Sequence, residues 1–169
     1  MDAKVVLTDA FTRVRDHTEA IADGLDASAL LWRPDPDANP IGWLLWHLTR
    51  VQDDHLAEMA EREQVWREEG WHARFGLQPG DDDIGYGHTS AQVARVRPES
   101  VDACVGYQNA VAERTLGILA ALDDTDLARI IDRSFDPPVT VVVRLVSVIG
   151  DTMAHLGQAG YVRGLYERR

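Results

Sequence analysis

Asp151-Thr-Met-Ala-His155 sets a carboxylate and an imidazole four residues apart in the last apolar stretch of the chain. Side chains at i and i+4 share one face of a helix. Val141, Leu145, Val148, Ala159 and Val162 recur at helical spacing around them, so the expected face is the one turned toward the core. Polar groups placed there need a partner, because an unpaired buried polar group is costly. A metal ion would serve both. A third candidate ligand, His47, stands in the apolar run Ile41-Gly-Trp-Leu-Leu-Trp-His47, about a hundred residues earlier. His, Asp and His from two helices form a facial metal site with positions left open for water or substrate. The plainer alternative is that each is a hydrogen-bonded polar residue of a helical core.

Other residues fall near these three. Asp54 lies seven residues after His47, nearly above it on a helix, and could accept from an imidazole N–H. A solvated carboxylate is the alternative. His55 is turned about 80° from His47 and reads as a polar contact within the helix packing. Gln158, one turn beyond His155, could orient a ligand or a bound molecule. Arg163 suits the end of a helix through the dipole, and could also hold an anionic group of a cosubstrate. Trp43, Trp46, Trp66, Trp71 and Tyr86 could line a cleft, or be core and cover. Cys104 has no acid or base near it in sequence and reads as a small buried hydrophobe.

The elements that must position these groups read as four long helices. Val6, Ala10, Val14, Thr18 and Ile21 mark the first, over about 4–25. A connector with Pro34-Asp-Pro36 follows. Asn39-Pro40 offers an N-cap and a first-turn proline for the second helix, to about Glu63, with Leu44, Leu48, Val51, His55 and Met59 on its apolar stripe. Residues 64–97 are irregular, with a short helix expected within 65–75 and Asp81-Asp82-Asp83 as a solvated loop. Connections this long often cover functional sites. Pro98 opens the third helix, whose inward face carries Val101, Val105, Gln108, Ala112, Thr115 and Leu119. Asp126 to Ile131 adds a turn. Pro137-Pro138 starts the fourth helix. Val139-Thr-Val-Val-Val143 has strand propensity, but its apolar period continues into the helix and no second strand of similar quality offers a partner. The expectation is a single all-α domain, 1–169, built as a four-helix bundle with a long irregular connection between the second and third helices.

Bulk properties narrow the function. The formal charge of -11 argues against nucleic acid and against anionic membranes as partners. No apolar run reaches the length of a spanning helix, and the acidic N-terminus does not resemble a signal peptide. One cysteine rules out an internal disulfide, and the expected compartment is the cytoplasm.

Asn39-Pro-Ile-Gly-Trp-Leu-Leu-Trp-His-Leu-Thr-Arg-Val-Gln-Asp53 and Asp151-Thr-Met-Ala-His-Leu-Gly-Gln-Ala-Gly-Tyr-Val-Arg-Gly164 together resemble the DinB-like (YfiT-type) superfamily. Val65-Trp-Arg-Glu-Glu-Gly-Trp-His-Ala-Arg-Phe-Gly76 and Gly85-Tyr-Gly-His88 resemble its branch of mycothiol transferases and the metal-binding domain of mycothiol-dependent maleylpyruvate isomerase. The resemblance implies a four-helix bundle, often a homodimer, with one divalent transition metal (Zn, Ni, Fe or Mn) held at one end. It places the ligands on His47, Asp151 and His155. Many members carry His at the position of Asp151, and the isomerase carries Glu, so the shorter Asp is a departure. The isomerase also has a further C-terminal domain that this chain, ending at Arg169, does not carry, and maleylpyruvate isomerisation is not expected. The implied activity is S-transfer of a low-molecular-weight thiol, mycothiol-like, to a small electrophile. Coordination by a metal lowers a thiol's pKa toward neutrality. Two alternatives stay open: a non-catalytic metal- or ligand-binding dimer of the same fold, and a metal-dependent hydrolase.

Overall fold

A computed structural model describes residues 3–169; Met1 and Asp2, the start of the acidic N-terminus, lie outside them. In chain order the elements are α1 (Ala3–Ala22), α2 (Ala27–Leu31), α3 (Ile41–Met59), α4 (Val65–Glu68), a 3-10 turn (Trp71–Phe75), α5 (Ser90–Val93), α6 (Val101–Ala121), α7 (Asp124–Leu127), the strands β1 (Ile130–Asp132) and β2 (Val139–Thr140), and α8 (Val141–Glu167). The helices α1, α3, α6 and α8 form the bundle. α3 packs on α8 and α6, and α1 packs on α6 and α8, so each long helix touches two neighbours. The fold is all-α in its architecture, as expected. No helix among the described residues is long and apolar enough to cross a membrane.

Apolar periodicity accounts for α1: Val14 and Thr18 are buried as expected, while Leu7, Phe11 and Ala22 take the places of Val6, Ala10 and Ile21. Leu7, Phe11, Val14, Thr18 and Ala22 form its buried face, while Val6 is exposed. Phe11 is the reason: burying an aromatic side chain contributes roughly 2–3 kcal/mol, and turning the helix inward at Val6 would move that ring toward water.

α3 departs further from a one-faced helix. Every residue from Ile41 to Asp53 is buried, including Thr49, Arg50, Gln52 and Asp53. The bundle covers one side and the 64–97 connection covers the other. Buried polar groups here are bonded, as burial demands. Thr49 Oγ1 donates to Gln108 Oε1 (2.7 Å), Gln108 Nε2 to Gln52 Oε1 (3.2 Å), and Gln52 Nε2 to Thr115 Oγ1 (2.8 Å), which ties α3 to α6. α3 begins at Ile41 with Pro40 as N-cap and no side-chain cap, so Asn39 does not serve that role.

The start of α8 corrects another expectation. Val139–Thr140 does find a strand partner: it pairs antiparallel with Ile130–Asp132, with Ile130 opposite Thr140 and Asp132 opposite Val139. The partner is only a few residues long and carries no alternation to reveal it. The helix then starts at Val141, with Thr140 as N-cap.

Candidate metal centre

α3 and α8 run antiparallel: His47 meets His155, while His55, two turns further along α3, accepts from Arg144 Nη1 (2.9 Å), earlier on α8. This crossing brings His47, Asp151 and His155 together, with donor atoms all within 4.8 Å of one another. The two imidazole centroids are 4.5 Å apart with rings nearly perpendicular at 83°. His155 Nε2 lies 3.7 Å from Asp151 Oδ1. The triad is not fully in the core. His47 is 5% exposed, but the His155 and Asp151 side chains are 18% and 39% exposed. They flank the buried stripe of Leu145, Val148, Thr152, Leu156 and Ala159 rather than lie on it. The site is therefore closed on the α3 side and open on the α8 side.

Each imidazole is oriented by its other nitrogen. His47 Nδ1 donates to the carbonyl oxygen of Ile84. His155 Nδ1 donates to Gln158 Oε1 (3.1 Å). Both bonds leave Nε2 with the lone pair, which is how ligating histidines are held. Burial pushes the His47 pKa below its ordinary value, against the Ile84 bond that favours the charged ring. The ring is thus neutral near pH 7, as a ligand must be.

These residues fit a divalent ion. Donors sharing one ion at about 2.0–2.2 Å stand about 3–3.5 Å apart, so small side-chain rotations would close the triad. Asp151 Oδ2 is buried and has no hydrogen-bond partner. A buried carboxylate oxygen with no hydrogen-bond partner, on a residue gathered with two histidines within 4.8 Å, is unfavourable, and a cation relieves it. The mixed N/O donor set admits Zn, Ni, Fe or Mn.

The closed wall comes from the strap formed by residues 81–88. Trp43 stacks on His47 at 4.7 Å and 13°. Its Nε1 donates to His88 Nδ1 (3.1 Å), and His88 Nε2 donates to Asp83 Oδ2 (2.7 Å). Burial pushes the Asp83 carboxyl up, but the bonds from His88 and Gly85 outweigh it and leave its pKa lowered. Gly85 has φ +94°, and a Cβ there would lie 2.8 Å from Trp46 Cζ3 and 2.9 Å from His47 Nδ1. Only glycine lets the strap approach this closely.

The strap corrects the solvated-loop expectation for Asp81-Asp82-Asp83. Asp81 pairs with Arg95 (3.1 Å), Asp82 makes two bonds to Arg67 (2.8 and 2.7 Å), and Asp83 takes His88. Asp81 and Asp82 hold the strap down because Arg95 and Arg67 lie outside it, which spacing does not reveal; Asp83 bonds His88 within the strap.

The remaining candidates separate clearly. Gln158 does orient a member of the triad. Asp54 accepts from Gln64 Nε2 (2.7 Å), not from His47. Arg163 spends its guanidinium on the carbonyls of Ala20, Ile21 and Asp23 (3.1, 2.8 and 2.8 Å), closing the end of α1. Trp46 is buried beneath the strap and stacks on His88 at 5.8 Å, rather than lining an open cleft. Tyr86 is 92% exposed at the outer turn of the strap. Ile84, Gly85 and Asp83 were not legible as site residues. The flanking glycines Gly85 and Gly87, both at positive φ, were the one available signal of a tight strap.

No curated protein matches the chain significantly. A solved structure of similar fold is that of a conserved protein from Enterococcus faecalis: TM-score 0.91, 27% identity, covering 100% of this chain and 99% of that one. The family model of the DinB superfamily matches residues 10–159, a span that contains His47, the strap, Asp151 and His155. With nearly the whole bundle inside that match, the chain belongs to the DinB superfamily.

Proposed function

We propose that the protein is a metal-dependent S-transferase that joins a low-molecular-weight thiol, mycothiol-like, to a small electrophile. His47, Asp151 and His155 would hold one divalent transition metal. The observation that carries this reading is the triad itself: two histidines turned to present Nε2 and a carboxylate oxygen without a partner, gathered at a solvent-accessible edge. A bound divalent ion supplies Lewis acidity, which brings the pKa of a thiol toward neutrality. The chain's own residues do the rest. The Trp43 face and the strap exclude water on the α3 side. The α8 side, where Asp151 and His155 are partly exposed, admits the reactants. In the transfer the sulfur bonds to the electrophilic carbon, the leaving group departs with its bonding pair, and the thiol proton passes to solvent.

The test begins with elemental analysis of protein purified without a metal-affinity tag, beside His47→Ala. About one transition metal per chain, lost in the variant, is expected. The loaded protein is then incubated with a low-molecular-weight thiol and a model electrophile. Thiol consumption above background supports transfer. A metal-loaded protein with no rate is a binding module of the same fold, and turnover of activated esters without thiol makes it a hydrolase; either outcome overturns the transferase reading. Absence of metal after reconstitution removes its basis altogether.

A further inference from the structure

Arg50 lies one turn beyond His47 on α3 and is wholly buried. Its guanidinium stands 4.8 Å above the Trp66 ring and 3.7 Å from Asp53 Oδ2. Nη1 donates to Gln64 Oε1 (2.9 Å) and the Tyr107 hydroxyl (3.3 Å). Asp53 in turn accepts from the backbone N–H groups of Val65 (2.9 Å) and Trp66 (2.8 Å) and from the Tyr107 hydroxyl (2.8 Å). A buried ion pair is a poor way to stabilise a core, since apolar residues of similar volume often do as well. Nε has no partner, and another use for the charge is suggested by where Nη2 goes.

Nη2 of Arg50 donates to the backbone carbonyl of Asp82 (2.7 Å). Two residues later the Ile84 carbonyl accepts from His47 Nδ1. Between them Asp83 folds back on the Gly85 N–H and holds His88. Asp82 is thus pinned from inside the bundle, and the short stretch from Asp82 to Gly85 has little freedom before it reaches the imidazole.

We propose that Arg50 is a positioning residue for His47: through the Asp82 carbonyl it holds the Ile84 carbonyl on Nδ1, and so keeps Nε2 as the free nitrogen. Its consequence for metal affinity rests on the metal-centre reading above; its consequence for the imidazole tautomer does not. A structural role alone would change stability and leave the tautomer as it is.

The decisive measurement is long-range 1H–15N spectroscopy of the histidine rings in metal-free full-length protein, with His47 assigned through His47→Gln. The wild type should show His47 with the proton on Nδ1. Two variants remove the donor to Asp82, Arg50→Gln with the Asp53 charge kept and the double variant R50M/D53N with it removed. In either one that folds, by circular dichroism and a cooperative melt, His47 should become a mixture of tautomers, and zinc affinity should fall about 10- to 100-fold. Gly85→Ala should reproduce the mixture with Arg50 intact, since its Cβ forces the strap away from Nδ1. An unchanged His47 tautomer in a folded Arg50 variant overturns the proposal, and so does loss of fold in both, which would assign Arg50 to the core alone. Unchanged zinc binding alongside a changed tautomer would instead count against the metal-centre reading.

Discussion

At His155 the deciding atom is Nδ1. It donates to Gln158 Oε1 one turn along the same helix, so the tautomer is set locally and both partners could be named from spacing. His47 differs: its partner is a backbone carbonyl from a segment 37 residues away, which no side-chain pattern could have announced. The contrast leads to a prediction. Gln158→Ala should weaken metal binding about 10- to 100-fold with little change in melting temperature, measured by competition with a chelator. Affinity equal to wild type would mean that the amide does not orient the ring. Cys104 gives a second prediction. Burial pushes its thiol up to about 12, and the thiolate is the reactive form. The native protein should therefore resist iodoacetamide at pH 8 and react fully once unfolded, as followed by mass spectrometry. Rapid labelling of the folded chain would contradict the burial.

At the scale of elements, α3 and α8 supply the triad, and the strap supplies its wall. The boundaries of α3 and α8 were legible to within a few residues, because apolar period and proline position act locally. The role of Arg163 was not. It stands on α8 but bonds three carbonyls at the end of α1, a docking that requires the tertiary arrangement of the two helices. Arg163→Ala should cost about 1–2 kcal/mol, since charge-assisted bonds to carbonyls are worth that much when partly shielded. For a chain of this size the melting temperature should fall by roughly 3–6 °C, by calorimetry, with metal content unchanged. Loss of metal without loss of stability would instead place Arg163 in the site.

At the scale of the whole molecule, one buried and one partly buried imidazole make stability depend on pH. Burial lowers the pKa of His47; burial and the neighbouring Arg144 lower that of His55. The unfolded chain, with histidines near 6.5, therefore binds protons before the folded one does. Stability from these groups is full above about pH 6.5 and is lost as pH falls through the folded pKa values. Asp53 acts in the opposite direction, because burial raises its carboxyl and the folded state takes up that proton first. Urea midpoints of the metal-free protein should fall between pH 7 and pH 5. His55→Gln should flatten part of that slope, since it removes one of the two groups and leaves Asp53 in place. An identical slope in the variant would show that His55 does not titrate with folding.

Residue order alone carried the bundle and the triad. Apolar repeats along α1, α6 and α8 specify which faces meet, and Asp151 and His155 share a helix face by spacing. His47 joined them as a third candidate from its place in an apolar run, and the family resemblance placed the ligand set on all three. Packing alone decided the rest: how far the three side chains lie from the core, which nitrogen each imidazole presents, and what closes the far wall. Those outcomes depend on backbone carbonyls and on charge pairs between segments distant in the chain, such as Ile84 with His47 and Arg50 with Asp82. Such contacts have no period and no fixed spacing, because they form only when the bundle has already brought the segments together.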